Sequence, residues 1–257
     1  MADAARSFLR DHPERAMFSI SPPDGSGLCR CERCASHDVP GYTIEDGPRR
    51  GRPVATDGMI HFYNAVAEIV AKEHPDRLLG GLIYAEYLNP PRREKRAHDM
   101  LALVVAPNLA RELWNDQAWD FWRDLYRSWN GFHDRIYAYD ICYYGRRQLG
   151  LPAPLGQRAV DLIRFHAGVG TKGCYLYIGP TWESLGPDAY LMARLLWNPR
   201  ADVERMKNEY FGILYQQAAP AVRSYFDTAE ACWRSATTHS PEAIRKLARA
   251  FHRTKPY

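Results

Sequence analysis

The sequence predicts an α/β protein, because short apolar runs with strand character alternate with longer segments that carry a helical repeat. Strict alternation of this kind is typical of parallel strands joined by right-handed helical crossovers. The chain has 257 residues and is 46% apolar, so it is long enough to bury a sizeable core. After these elements the chain is predicted to be helical to its end.

Five strands are predicted from apolar runs that stop at glycine, proline or polar residues; they cover residues 16–21, 78–84, 101–105, 135–141 and 173–178. Helices with apolar residues at helical spacing are predicted between them, at residues 58–73, 114–129 and 157–169. The C-terminal helices are predicted at residues 188–197, 202–215 and 218–236, with a last one that begins at Ser240 as N-cap.

Polar residues lie at or just after the carboxyl ends of the predicted strands, and they are Asp24, Glu86, Asn108, Asp140 and Glu183. In (β/α) barrels the active site is built on that end of the strands. An open doubly wound sheet uses the same end and stays an alternative. The sequence therefore favours a partial (β/α)8 TIM-barrel-like fold of about five parallel strands, followed by a C-terminal helical region.

The carboxyl groups at these positions suggest hydrolysis of glycosidic bonds. That chemistry needs one acid to protonate the leaving oxygen and a second carboxylate that acts as a base or nucleophile, or orients the substrate. Asp24, Glu86 and Asp140 are the predicted catalytic residues. The alternative is that strand-end acids stabilise the N-termini of the helices that follow them.

Aromatic residues are abundant, with 16 Tyr and 7 Trp, and several follow the predicted strands. Flat rings of this type stack on the C–H faces of sugars, although they also fill cores and rims. With the polar groups beside them, the predicted substrate-binding residues are Tyr84, Tyr87, Asn108, Tyr143, Trp182 and Glu183.

Cys29, Cys31 and Cys34 form a C-x-C-x-x-C cluster that follows Asp24 directly. Three thiolates this close could hold a structural zinc ion, with His37 or Asp38 as a fourth ligand. The alternatives are one disulfide with a free thiol, or three reduced thiols. No other cofactor is predicted.

Other classes of function find no support in the sequence. The net charge of +4 is spread along the chain and does not form the concentrated patch of a nucleic-acid-binding protein. No apolar run reaches the roughly 18 residues of a membrane span, and residues 1–13 lack the apolar stretch of a secretory signal. Nucleophile-elbow, Walker A and dinucleotide-binding motifs are absent from the sequence. The oligomeric state is left open.

Several segments together resemble a known family. Residues 21–25, Ser-Pro-Pro-Asp-Gly, and the cysteine cluster at residues 29–34 resemble the SPxDG…CxCxxC segment of bacterial proteins that carry the DUF4838 domain. Residues 83–87 with the prolines that follow, and residues 137–140, are similar to two later strand ends of that family. The C-terminal helices match its helical tail, from Leu191 onward.

The resemblance implies a TIM-barrel glycosidase similar to glycoside hydrolase family 163. Its characterised members are endo-β-N-acetylglucosaminidases that release N-glycans, and their retaining mechanism uses the acetamide of the substrate as nucleophile. Such a mechanism needs one acid/base carboxyl and one carboxylate that orients the acetamide, with Asp24, Glu86 and Asp140 as the matching residues. A carbohydrate substrate and a secreted or periplasmic location are further expectations.

Family members are longer, with barrel strands before the segment that contains Asp24. We therefore expect residues 1–186 to form a barrel portion that lacks the N-terminal strands. Residues 187–257 are expected to form a helical region that packs on it. Because an incomplete barrel exposes strand edges, the activity of this chain alone is an open question.

Overall fold

The structure is a computed structural model, and it describes residues 1–23, 27–45, 49–107, 116–142, 154–178 and 182–234, together with residue 249. Its described strands are β1 (Met17–Ser19), β2 (Leu78–Ile83), β3 (Leu101–Val105), β4 (Ile136–Ile141) and β5 (Cys174–Tyr177). The five strands form one sheet. All five apolar runs that were predicted as strands are thereby confirmed.

The strands lie in the order β1-β2-β3-β4-β5, so each strand neighbours the next one in the sequence. Neighbouring strands are parallel, with Phe18 opposite Leu79, Leu103 opposite Ile136, and five residues of β2 opposite five of β3. A doubly wound sheet would reverse its strand order at a switch point. The sequential order is that of a (β/α) barrel, and it confirms the predicted α/β fold with part of a barrel.

The described helices lie before and between the strands, except that a 3-10 turn (Ala85–Tyr87) stands between β2 and β3, and they then continue alone. They are α1 (Ala2–Asp11), α2 (Glu32–Ala35), α3 (Thr56–Val70), α4 (Asp116–Phe132), α5 (Gln157–Val169), α6 (Trp182–Trp197), α7 (Val203–Tyr215) and α8 (Ala219–Arg234). The predicted helix that begins at Ser240 lies outside the described residues. None of the helices in the described part of the chain is both long and apolar enough to cross a membrane.

Two helices were not predicted. The first, α1, has a polar composition but buries Ala5 and Leu9, which lie one helical turn apart. The second, α2, is a single turn inside the cysteine cluster. In addition, α6 begins six residues before the predicted start at Asp188 and contains Pro187 in its second turn.

The chain divides into two compact units. The first contains residues 1–107, 122–139 and 169–175. In this unit α3 packs on β2 where Gly81 leaves room for the ring of Tyr63, since a Cβ atom at Gly81 would lie 2.7 Å from Cε2 of that ring. The hydroxyl of Tyr63 donates to the backbone oxygen of Leu82 at 2.8 Å. Tyr63 is fully buried and fixes the side of β2 that faces the helix.

The second unit contains residues 108–121, 140–168 and 176–257. An aromatic cluster holds its C-terminal helices together through Tyr210 and Phe211 of α7 and Phe226 of α8. At the start of α5, the buried carboxylate of Asp188 accepts backbone N–H groups from Leu155 and Gly156 at 2.6 and 2.9 Å. The domain boundary predicted between residues 186 and 187 stays a prediction.

Candidate functional site

The candidate site is built on the turn that follows β2. Here the chain turns through Ala85, whose φ of 55° lies in the left-handed region. For a residue other than glycine this conformation costs roughly 1–2 kcal/mol and persists only where the surroundings enforce it. The next residue is Glu86, in a short 3-10 turn that spans Ala85–Tyr87.

Four hydrogen bonds from three different segments hold this turn in place. Each donates to a backbone oxygen, and they are Ala55 N to Glu86 O at 2.8 Å, Thr56 Oγ1 to Asn89 O at 2.6 Å, Trp129 Nε1 to Leu88 O at 2.8 Å and Tyr42 Oη to Pro90 O at 3.0 Å. Such bonds satisfy carbonyl groups that a turn leaves unpaired. They provide the external support that a strained residue at position 85 requires.

A buried carboxylate extends the same support to the following residues. Asp57, 2% exposed near the start of α3, accepts backbone N–H groups from Arg92, Arg93 and Glu94 at 3.1, 2.7 and 2.8 Å. Charge-assisted bonds of this type are stronger than neutral ones. The loop from Glu86 to Glu94 is therefore fixed at several points along its length.

The side chain of Glu86 is held between two guanidinium groups. Arg52 donates to Oε1 at 2.6 Å and Arg30 donates to Oε2 at 3.1 Å, while Glu86 itself is 8% exposed. Partial burial alone would raise the pKa of this carboxyl. The hydrogen bond from Arg52 and the charges of Arg30 and Arg52 outweigh that effect, and the pKa of Glu86 is lowered. Glu86 is therefore a carboxylate at neutral pH.

The three cysteines lie close together. One sulfur atom from each of Cys29, Cys31 and Cys34 lies within 4.8 Å of the others, and all three thiols are free and exposed. The pKa of Cys31 is lowered, first by the backbone N–H of Cys34 and then by the neighbouring thiols. Hydrogen bonding to Cys31 and Cys29 raises the pKa of Cys34 to about 11. Hydrogen bonds from its neighbours therefore stabilise the thiolate form of Cys31 relative to its thiol form.

The expected fourth ligands of a metal lie elsewhere. The ring of His37 stacks on that of His61 at 4.4 Å between centroids, and the carboxylate of Asp38 accepts from Arg30 at 2.9 Å. Neither side chain belongs to the group of close ligand atoms found in the described part of the chain. Arg30 thus connects the cysteine cluster, which flanks it in the sequence, to Glu86.

Comparison with known families identifies the sequence. A family described as "Domain of unknown function (DUF4838)" matches residues 1–227. The chain belongs to the DUF4838 family. No curated protein and no solved structure matches it. The expected DUF4838 resemblance is thereby confirmed, and the family description names no activity.

In this DUF4838 chain the second predicted acid has a buried partner. Asp140 lies in β4 and is 0% exposed, and its Oδ2 atom is 2.8 Å from Nε2 of His166 on α5. His166 is itself 2% exposed. Asp140 therefore points to the same side of β4 as the buried residues Ile136 and Ala138. Its carboxylate does not reach solvent in this structure.

The predicted substrate-binding residues have different surroundings. Tyr87 is 6% exposed and belongs to the core, whereas Tyr84 is half-buried at the end of β2. Trp182 and Glu183 are the first residues of α6, and their side chains lie outside the described residues. The remaining predicted residues, Asp24, Asn108 and Tyr143, also lie outside the described residues.

An aromatic surface lies on the side of β4 opposite Asp140. The rings of Tyr139 and Tyr175 meet edge to face at 4.8 Å, and Tyr175 is 58% exposed. A Cβ atom at Gly173 would lie 3.2 Å from the ring of Tyr137, so these residues share one face of the sheet. Sequence reasoning did not predict these three tyrosines as binding residues, although residues 137–140 were noted for their family resemblance.

The arginines that hold Glu86 were also missed by sequence reasoning. Arg52 lies in a polar loop without any motif, 34 residues from Glu86. Arg30 could have been noticed because it stands between two cysteines of the cluster.

Chemically, the arrangement presents an ionised, preorganised carboxylate that can accept hydrogen bonds or stabilise positive charge but is a poor proton donor.

Proposed function

We propose that this DUF4838 chain is a glycoside hydrolase that acts on glycans containing N-acetylhexosamine. The more specific form of the proposal is an endo-β-N-acetylglucosaminidase with a retaining mechanism in which the substrate's acetamide is the nucleophile. The observation that carries the proposal is Glu86, an ionised carboxylate on a strained turn at the carboxyl end of β2. Catalytic groups of barrel enzymes occupy that end of the strands.

The lowered pKa of Glu86 suggests its role. A general acid needs a raised pKa so that it still holds its proton at the working pH. A carboxylate that orients an acetamide and stabilises the positive charge of the oxazolinium-like intermediate needs the opposite. We therefore assign the orienting role to Glu86. The acid/base is then Asp24 or Asp140, the other two carboxyls that the family resemblance implies.

The two candidates for the acid make different predictions. Asp140 is completely buried against His166, so it could act as an acid only after β4 or α5 rearranges. Asp140→Asn should therefore change folding stability as well as turnover. Asp24→Asn should abolish turnover without loss of stability if Asp24 is the acid. Tyr84, Tyr87, Asn108, Tyr143, Trp182 and Glu183 complete the proposal as substrate-binding residues.

The test is release of glycan from a glycoprotein that carries N-linked glycans, measured by mass spectrometry of the released sugar. Glu86→Gln should reduce turnover by about a hundredfold or more, since it removes the charge that stabilises the intermediate. Glu209→Gln is the matched control, because Glu209 is also paired with an arginine but lies on α7. Absence of release by the folded wild-type protein across a broad glycan panel would contradict the proposal.

A second candidate is a glycan-binding protein without catalysis. It is favoured by the same contacts, since each carboxylate oxygen of Glu86 already accepts a hydrogen bond from an arginine. Under this proposal glycan binding survives in Asp24→Ala and Glu86→Ala, and turnover is not detected in any variant. Turnover that is lost in Asp24→Ala excludes it.

For the cofactor, we propose a structural zinc ion at Cys29, Cys31 and Cys34. Zinc takes thiolate ligands in tetrahedral sites, and three sulfur atoms within 4.8 Å supply three of the four positions. The ion is structural in this proposal and takes no direct part in the chemical step. Elemental analysis of the purified protein tests the proposal, and an absence of stoichiometric zinc ends it.

A further inference from the structure

The segment that contains the cysteine cluster has no core of its own. We define the cysteine segment as residues 27–40, all of which the structure describes. Each residue in it is exposed or half-exposed, and none is buried. Apolar burial therefore contributes little to its order, and a segment of this type depends on local crosslinks.

The described residues show contacts between the cysteine segment and more distant parts of the first unit. The ring of His37 stacks on His61 of α3, and the guanidinium of Arg93 donates to the backbone oxygen of Ser36 at 2.9 Å. A further contact is made by Arg30, which donates to Glu86. The arginine that holds the proposed catalytic carboxylate thus lies on a segment whose residues are all at least partly exposed.

The thiols are placed to provide the missing support. Two thiolates on one tetrahedral zinc ion, each at about 2.3 Å from the metal, are about 3.8 Å apart. Sulfur atoms that all lie within 4.8 Å of one another reach that geometry with small rotations of exposed side chains. Binding displaces one proton from each thiol to solvent, and the metal–sulfur bonds need no oxidant. The exposed side of the cluster leaves the fourth position to water or another ligand.

We propose that a zinc ion bound by Cys29, Cys31 and Cys34 locks Arg30 onto Glu86, so that metal occupancy controls how this carboxylate is held. The catalytic meaning of that control rests on the function proposed above, whereas the coupling itself does not. Arg30 stands between two of the ligands, so the metal fixes its backbone on both sides. A long, flexible side chain then loses less freedom when its guanidinium binds the carboxylate.

The coupling must act in both directions. If zinc strengthens the contact between Arg30 and Glu86, then the contact strengthens zinc binding by the same factor. Glu86 is not itself a ligand, since the close ligand atoms among the described residues are the three sulfurs. A change at Glu86 therefore reports the coupling and leaves the metal-binding groups intact.

The first experiment tests the metal site on the full, reduced and chelator-treated chain. Zn²⁺ is titrated calorimetrically, and Co²⁺ is used as a probe because thiolate ligation produces an ultraviolet charge-transfer band. We expect one metal per chain, and Cys31→Ser should weaken binding by about a hundredfold or more. Cys174→Ser is the matched control, as Cys174 lies in β5 and should not affect binding. A disulfide between two of the three cysteines in the protein as purified would overturn the proposal, as would absence of metal binding.

The second experiment tests the coupling. Trypsin cleavage after Arg30 and after Arg33 is followed by mass spectrometry with and without Zn²⁺. Zinc should slow both cleavages in the wild-type chain. In Glu86→Gln, zinc should still protect Arg33 but should protect Arg30 much less, and the Kd for Zn²⁺ should rise by roughly fivefold.

Glu209→Gln, which removes a carboxylate from an arginine contact on another helix, should behave as the wild type in these measurements. Equal protection of Arg30 with and without the Glu86 carboxylate, together with an unchanged Kd, would overturn the coupling. Neither experiment uses a glycan. Their failure therefore leaves the proposed hydrolase untouched, and failure of glycan release leaves the metal site and its coupling as measured.

Discussion

The Oδ2 atom of Asp140 lies 2.8 Å from Nε2 of His166, and neither side chain is more than 2% exposed. A buried carboxylate that loses its hydrogen-bonding partner keeps its desolvation cost. We therefore expect His166→Ala to lower the free energy of unfolding by about 3–5 kcal/mol in urea denaturation. His166→Gln keeps an N–H donor at this position and should lower the free energy of unfolding by less than His166→Ala does. A loss below about 1 kcal/mol in His166→Ala would contradict the assigned contact.

The placement of Asp140 could have been predicted from the sequence. In β4 the residues at 136, 138 and 140 share one side of the strand, and the first two are apolar. Period-two alternation therefore places Asp140 with the buried residues. The strand itself was predicted correctly from its apolar run. The position of Asp140 at a strand end suggested a catalytic role, whereas its place in the alternation of β4 indicates burial against a helix.

The hydrogen bonds from Arg30 and Arg52 to Glu86 could not be predicted in this way. The turn has Ala85 at a position where glycine is usual. Arg30 and Arg52 lie in polar loops, 56 and 34 residues from Glu86 in the sequence. Long-range contacts between polar side chains have no period, so the apolar pattern that predicts strands and helices does not predict them. Helix α1 was missed for a different reason, since its net polarity masked the spacing of Ala5 and Leu9.

Removing Arg52 should make Glu86 easier to protonate. Arg52→Ala removes the hydrogen bond to Oε1 and one positive charge, but the burial that raises the pKa remains. The pKa of Glu86 should therefore rise, which a ¹³C NMR titration of the glutamate carboxyls can measure, with Glu86→Gln to assign the signal. Because the pKa of Glu86 is lower in the folded protein than in the unfolded chain, ionised Glu86 stabilises the folded state at pH values above its unfolded pKa. This contribution is lost as pH falls. With a smaller pKa shift, Arg52→Ala should therefore lose less stability on acidification than the wild type does. Arg52→Lys keeps the charge and should give a smaller shift. An unchanged pKa of Glu86 in Arg52→Ala would contradict the assigned contact between Arg52 and Glu86.

If glycan release is observed, the same variant makes a kinetic prediction. The acidic limb of kcat/KM reports groups of the free enzyme that must be ionised. In Arg52→Ala this limb should move to higher pH, because the raised pKa of Glu86 means that it is protonated at a higher pH. A limb that stays in place would assign the limiting carboxyl to another residue.

Two adjacent glycines of β2 should respond differently to the same substitution. A Cβ atom at Gly81 would lie 2.7 Å from the buried ring of Tyr63, whereas one at Gly80 would meet the flexible side chain of Met17 at 3.3 Å. Gly81→Ala should therefore cost about 1–3 kcal/mol in urea denaturation, and Gly80→Ala should be close to neutral. Combining Gly81→Ala with Tyr63→Leu should cost less than the sum of the two single changes. Equal effects at the two glycines would contradict the assigned faces of β2.

Asp188 should make the stability of the fold depend on pH in the opposite direction to Glu86. Complete burial raises the pKa of Asp188 to about 7, and the two backbone N–H donors at Leu155 and Gly156 oppose that rise only in part. Glu230 adds to the rise, and Lys207 opposes it. A raised folded-state pKa means that the folded protein holds this proton more tightly than the unfolded chain does. The corresponding stability is present below pH 3.8 and is lost as pH increases through about 7.

Asp188→Asn removes the titrating group but keeps one oxygen that can accept a backbone N–H. The free energy of unfolding of the wild type, measured relative to this variant, should therefore fall by about 3 kcal/mol between pH 4 and pH 7. Urea denaturation of both proteins at half-unit pH intervals measures this difference directly. A difference that stays constant across the interval would show that Asp188 is ionised throughout. In that case the N–H groups of Leu155 and Gly156, with the charge of Lys207, would be sufficient to hold a fully buried carboxylate.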